Sequence, residues 1–127
     1  MSESKAHAPG WTDSMLAAAR RRFAEVLPVV RAIARQHGYA VAVHGSQLRD
    51  LDLVAVPWVE QVSPPHVLVE AIRVAVGGFI LTAAAAQPGD FTSRNPQSKP
   101  HGRLAWAIHL GAGPYLDLSV MPTRETA

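Results

Sequence analysis

The sequence predicts an α/β (α+β) fold in which one β-sheet carries helices packed on one face. Two segments space their apolar residues at the helical period of 3.6, and several short segments rich in β-branched residues are typical of strands. The last two strands are separated only by Gly-Ala-Gly-Pro, which indicates a hairpin. A chain of 127 residues suits one domain, which we place at residues 11–122 between short disordered tails at 1–10 and 123–127.

The first helix is predicted to begin at Thr12 or Asp13, either of which can cap it, and to end at Gly38. Pro28 lies within this helix. Because proline has no amide hydrogen and its ring crowds the preceding turn, we expect a kink or a division into two helices. The apolar positions that follow the helical period are Leu16, Ala19, Phe23, Val26, Leu27, Val30, Ile33 and Ala34.

The middle of the chain predicts strands and a second helix. Residues 39–46 and 51–58 are short apolar runs with β-branched residues, which is typical of strands. The prolines at 64–65 favour a helix start, and the two glycines at 77–78 favour its end. Residues 79–86 are again apolar, and their first four predict a third strand.

The last part of the chain predicts a loop followed by a hairpin. Residues 87–102 contain three prolines and no periodicity, which is typical of a loop. In the hairpin we expect the register that turns every large apolar side chain to one face. The other face then carries His109 opposite Asp117 and Ala107 opposite Ser119. The pairs expected on the apolar face are Leu110 with Leu116, Ile108 with Leu118 and Trp106 with Val120.

Composition excludes several classes of function. The chain has no cysteine, so it has neither disulfides nor Cys-ligated zinc. Its 12 basic and 10 acidic residues leave a net charge of +2, and the basic residues are scattered apart from three arginines at 20–22. We therefore expect no extended DNA-binding surface. No apolar run approaches the roughly 18 residues of a membrane span, and the first ten residues do not resemble a secretory signal. We expect a cytoplasmic protein with no membrane partner.

Three aspartates lie where strands would otherwise be apolar. Asp50 and Asp52 alternate with leucines and therefore project to one face of their strand, and Asp117 has an equivalent place in the hairpin. Neighbouring carboxylates repel one another unless a cation lies between them, and oxygen ligands suit Mg²⁺ or Mn²⁺. The Gly45-Ser46 turn just upstream offers backbone amides and a hydroxyl, which suit a phosphate group. A metal beside a phosphate-binding turn predicts a nucleoside triphosphate ligand.

The order of these motifs, HGS, RDLDLVAV and YLDLSV, resembles the nucleotidyltransferase superfamily. This is the group of DNA polymerase beta, kanamycin nucleotidyltransferase and the minimal nucleotidyltransferases, and the context is also similar to small stand-alone members encoded by bacteriophages. The resemblance implies a single mixed β-sheet and the transfer of a nucleoside monophosphate from a triphosphate, such as ATP, to a hydroxyl. It further implies that Asp50, Asp52 and Asp117 bind the metal, that Asp117 helps activate the incoming hydroxyl, and that Gly45 and Ser46 hold the triphosphate.

Two features depart from that family. Only three residues separate Ser46 from Asp50, where the family usually has a longer spacer that covers the phosphates. Either the phosphates are bound by Arg49, Lys99 or Arg103, or transfer activity has been lost while a nucleotide or metal site persists. We also expect no further domain to bind an acceptor, so the acceptor would be presented by a partner or would itself be a protein.

Other interpretations of the same residues stay open. The protein could bind a nucleotide without catalysis, or it could be a protein-interaction module such as an antitoxin or inhibitor. His109 is either a general base or metal neighbour, or a histidine paired to Asp117, and His44 leaves the same choice. Trp106 is predicted to lie in the core. Trp58 is the better candidate for stacking on a nucleobase, although capping of the core is favoured for it too.

Overall fold

The computed structural model describes residues 10–45, 50–80 and 97–123. These residues form two helices and one mixed sheet of five strands, so the predicted fold class is confirmed. The predicted tails fall almost wholly outside the described residues. Neither of the two described helices is long and apolar enough to cross a membrane. The elements are α1 (Asp13–Gln36), β1 (Tyr39–His44), β2 (Asp50–Pro57), α2 (Pro65–Val76), β3 (Gln97–Ser98), β4 (Leu104–His109) and β5 (Tyr115–Val120).

Helix α1 is capped as the sequence predicts but is not divided. Thr12 is the N-cap, and its hydroxyl accepts a hydrogen bond from the amide of Met15 at 3.1 Å. The helix runs through Pro28 without interruption, so the expected division into two helices is wrong. Pro28 is exposed, whereas Val26 and Val30 are both buried on the opposite side. Packing of that apolar face on either side of the proline holds the two halves in one helix.

Helix α2 begins and ends where the sequence predicts. Pro64 is the N-cap and Pro65 the first helical residue. Gly77 ends the helix in the left-handed conformation, with φ of 68°. Both helices pack on the same face of the sheet, α1 against β1 and β2 and α2 against β4. The guanidinium of Arg22 donates to the carbonyl of Val76 at 3.0 Å and so joins α1 to the end of α2.

The described strands of the sheet lie in the order β1-β2-β5-β4-β3, and among them only the neighbours β2 and β5 pair in parallel. Its helix-covered face carries the core, and the prediction that Trp106 lies there is confirmed. Trp58 does not cap the core, because its side chain is 63% exposed just beyond β2. The strand residues of the core are Leu51, Leu53, Ala55, Trp106, Ile108, Leu116, Leu118 and Val120. Because side chains alternate along a strand, the residues between them face the side that neither described helix covers, here called the open face.

The predicted hairpin register is wrong by two residues. Ile108 pairs with Leu116 rather than with Leu118, so His109 lies opposite Tyr115 and Asp117 lies opposite Ala107. The turn decides this register: residues 111–113 all have positive φ, and the amide of residue 110 donates to the carbonyl of residue 114 at 3.0 Å. A shift of two residues leaves every side chain on its original face, so the apolar pattern alone cannot distinguish the two registers.

The segment before the hairpin also differs from expectation. In the predicted third strand, Phe79 makes a single antiparallel bridge to His109, and residues 81–86 lie outside the described residues. At the end of the predicted loop, Gln97–Ser98 pairs with β4 as the short strand β3, and Pro100–Gly102 forms a 3-10 turn. The edge of β4 that faces away from β5 pairs with Phe79 and with Gln97–Ser98 through backbone hydrogen bonds. No local residue preference predicts this pairing.

Candidate functional site

The three predicted aspartates meet on the open face of the sheet. Asp52 and Asp117 lie side by side, because β2 and β5 pair in parallel with these two residues in register. Asp50 precedes Asp52 by two residues and therefore projects to the same face. One carboxylate oxygen from each of the three residues lies within 4.8 Å of the other two, and all three residues are half-buried. The expectation that Asp117 lies on the same face as Asp50 and Asp52, with the three carboxylates close together, is confirmed.

The acidic triad, Asp50, Asp52 and Asp117, is electrostatically unfavourable without a cation. Burial raises the pKa of Asp52, and the neighbouring carboxylates of Asp50 and Asp117 raise it further. His44, which pairs with Asp52 across β1 and β2, acts in the opposite direction on the pKa of Asp52. A small divalent cation between the three side chains would remove this repulsion. Three carboxylates are a donor set that suits Mg²⁺ or Mn²⁺, so these residues fit the predicted metal.

Gly45 lies against the triad at the end of β1. Its φ of 86° is in the left-handed region, where glycine is favoured. A β-carbon at this position would overlap the Oδ2 atom of Asp52, so the absence of a side chain lets the backbone approach the triad. Ser46 and Arg49, the two other predicted phosphate-binding residues of this turn, lie outside the described residues.

Arg103 brings a positive charge to the triad's face of the sheet. Its guanidinium contacts the hydroxyl of Ser119 at 3.5 Å and donates to the carbonyl of Pro100 at 3.3 Å. Ser119 is only 6% exposed and follows Asp117 by two residues on the same face of β5. Lys99 is half-buried nearby, and its amide donates to the carbonyl of Arg103 at 2.9 Å. The described structure therefore places Arg103 beside Ser119, on the same face of β5 as Asp117. For Lys99 it shows a backbone hydrogen bond to Arg103.

His109 lies in a row of rings rather than opposite Asp117. Its imidazole stacks on Phe79 with ring centroids 5.5 Å apart and lies 5.4 Å from the ring of Tyr115, with the two planes tilted by 36°. Burial lowers the pKa of His109, which favours the neutral imidazole. Tyr115 in turn pairs with Asp50 across β5 and β2. The aromatic row, Phe79, His109 and Tyr115, therefore reaches the edge of the acidic triad.

Sequence reasoning does not find this aromatic row. The sequence predicts Phe79 only as part of a strand, and it places Tyr115 in the hairpin without a role. The signal that could have found them is the hairpin turn, because a three-residue loop at Gly-Ala-Gly pairs His109 with Tyr115 directly. A cleft of about 440 Å³ is lined by His109 and Tyr115 of this row, by Asp117 of the triad and by Gln97 of β3, among others.

The chain matches no protein-family model, no curated protein and no solved structure. The resemblance of its motifs to nucleotidyltransferases therefore stays a prediction. What points to a function is the meeting of three carboxylates and a glycine backbone, with an arginine beside Ser119 on the same face of the sheet.

Proposed function

We propose that this protein is a metal-dependent nucleotidyltransferase that moves a nucleoside monophosphate from a nucleoside triphosphate to a hydroxyl acceptor. The acidic triad carries the proposal: three carboxylates from two parallel strands converge within 4.8 Å on a face that the helices leave uncovered. A merely structural use of three mutually repelling aspartates is disfavoured, because their neighbourhood already raises the pKa of Asp52.

The proposed roles follow from position. Asp50, Asp52 and Asp117 would hold Mg²⁺ or Mn²⁺, which when bound supplies positive charge for the polyphosphate. Gly45 admits the triphosphate close to the backbone at the end of β1. Arg103 offsets phosphate charge from the β4 side of the same face.

In the proposed reaction the acceptor oxygen forms a bond to the α-phosphorus of the triphosphate. The bond from that phosphorus to the oxygen bridging towards the β-phosphorus breaks, and pyrophosphate leaves with that oxygen. The proton of the acceptor hydroxyl passes to Asp117, which the family resemblance makes the activating carboxylate. The acceptor hydroxyl belongs either to a molecule that a partner presents or to a protein that is itself the acceptor.

The short spacer favours a second candidate function, a protein that binds a nucleotide without transferring it. Only three residues separate Ser46 from Asp50, which leaves few backbone amides to hold a triphosphate in line for attack. Such a protein would use the same triad and metal but release no pyrophosphate.

The two functions separate in one assay. The full chain is incubated with each α-³²P-labelled triphosphate and either Mg²⁺ or Mn²⁺, with a cell lysate as the source of acceptors, and pyrophosphate and labelled macromolecules are measured. We expect both products to exceed the level of the lysate alone with the parent chain and with Asp13→Asn, a control at the start of α1, and neither product to exceed it with Asp52→Asn. Nucleotide binding without pyrophosphate would support the second function, and the absence of both would leave the protein-interaction module.

A further inference from the structure

A cleft with small side chains along β4 lies beside the triad on the open face. Two small side chains on β4, Ala105 and Ala107, form its floor. The rings of His109 and Tyr115 stand at one end, and Gln97 of β3 lies at the outer side. Asp117 closes the inner side, since it pairs with Ala107 across β4 and β5. One metal-binding carboxylate of the triad is therefore also a wall of the cleft.

The low floor is a specific feature of this face. Larger side chains on β4 would fill the space between the ring row and Gln97, whereas alanine at both open-face positions leaves a volume of about 440 Å³. The ring row is held in place by its own stacking, because Phe79 supports His109 from the outer edge at 5.5 Å. Aromatic side chains next to an amide side chain suit a planar heteroaromatic group with hydrogen-bonding edges.

We propose that this cleft binds the nucleobase of the triphosphate, with the base above Ala107, against the rings of His109 and Tyr115, and with its edge towards Gln97. The inference rests on the proposed function, because the triad fixes where the phosphates lie. A mononucleotide places its base one sugar away from the α-phosphate, and the cleft begins at Asp117, directly beside the metal ligands. The base site is thereby distinct from Trp58, which lies at the far end of β2.

The test compares two probes that share the polyphosphate and differ in the base. Affinities of the full chain for ATP and for inorganic tripolyphosphate are measured by calorimetry in the presence of Mn²⁺, and affinities for GTP, CTP and UTP follow. Stacking of one base on aromatic side chains is worth about 1 to 3 kcal/mol, so we expect ATP to bind at least about fivefold more tightly than tripolyphosphate. Equal affinities would overturn the base site and leave the proposed function intact.

Two variants and a matched control locate the site. Ala107→Leu fills the floor, and His109→Ala removes a wall, so each should reduce ATP affinity to the level of tripolyphosphate while leaving Mn²⁺ and tripolyphosphate binding unchanged. Ala40→Leu makes the same change on the same face of β1, at the far edge of the sheet, and should leave all three affinities as they are.

The outcomes distinguish the two proposals. Loss of ATP preference in Ala107→Leu or His109→Ala, but not in Ala40→Leu, supports the base site. An undiminished ATP preference in both cleft variants would overturn it, because the base would then bind elsewhere. Failure of the parent chain to bind either probe with Mn²⁺ would refute the proposed function and the base site together. Retained Mn²⁺ binding shows that each variant is folded.

Discussion

Replacing Asp52 with asparagine should stabilise the metal-free protein and abolish its response to metal. Asp52 is the middle carboxylate of the triad, in register with Asp117 and two residues from Asp50. The asparagine side chain would have nearly the same shape and could still hydrogen bond to Asp50, but it carries no charge. The substitution therefore removes two repulsive interactions and the cost of partly burying a charged group.

The size of the effect follows from the spacing of the carboxylates. At the 4.8 Å limit of the triad, two unit charges repel by about 0.9 kcal/mol in water and by about 3.5 kcal/mol at an effective dielectric constant of 20. The three residues are half-buried and screened by salt, so each pair belongs near the lower value. With two pairs removed, Asp52→Asn should raise the free energy of unfolding by about 1 to 2 kcal/mol at pH 7. For a domain of this size that is a Tm increase of about 3 to 8 °C.

The assay is thermal unfolding with EDTA and then with Mn²⁺. A metal that binds only the folded protein adds about 2.7 kcal/mol at a concentration of 100 times its Kd. The Tm of the parent chain should therefore rise with Mn²⁺ and overtake that of Asp52→Asn, whose Tm should stay fixed. Asp13→Asn is the matched control: it removes a favourable charge from the first turn of α1 and should lower the Tm slightly while leaving the Mn²⁺ response intact.

A lower Tm for Asp52→Asn in EDTA, together with no Mn²⁺ response in the parent chain, would refute this reasoning. The aspartates would then stabilise the fold through their own contacts, and they would not form a metal site.

Three other perturbations test neighbouring parts of the site. Gly45→Ala should destabilise the protein by more than Gly77→Ala. Both glycines have positive φ, which would cost an alanine about 1 to 2 kcal/mol, but of the two only Gly45 lies where the new β-carbon would overlap Asp52. Equal losses of Tm would contradict the close approach of the Gly45 backbone to Asp52. Arg103→Ala or Lys99→Ala should weaken triphosphate binding by about 1 to 3 kcal/mol, measured by calorimetry, and unchanged affinity in both would exclude them as phosphate ligands. The metal-free parent should lose stability relative to Asp52→Asn as pH rises from below the usual aspartate pKa to above the raised pKa of Asp52, because the folded state disfavours the charged form of Asp52. The free energy of unfolding of both proteins is measured with urea across this range. A difference between them that does not change with pH would argue against a raised pKa of Asp52.

The sequence by itself determined the elements whose causes are local. The start of α1 at Thr12 or Asp13, the helix stop at Gly77 and the alternation of β2 each depend on a few adjacent residues, and all three are present in the structure. Alternation also placed Asp50 and Asp52 on one face without knowledge of the fold. Together with the equivalent place of Asp117 in the hairpin, this allowed the three carboxylates to be selected in advance as a group.

Only the tertiary structure decided how these elements pair. A two-residue shift in a hairpin keeps every side chain on its face, so the backbone of the turn, not the apolar pattern, set Tyr115 and not Asp117 opposite His109. Continuity of α1 through Pro28 came from packing on the far side of the helix, and strand β3 formed because the edge of β4 offered unpaired backbone groups. The aromatic row and the cleft depend on contacts between residues distant in the chain, and such contacts carry no local signal that a single sequence displays.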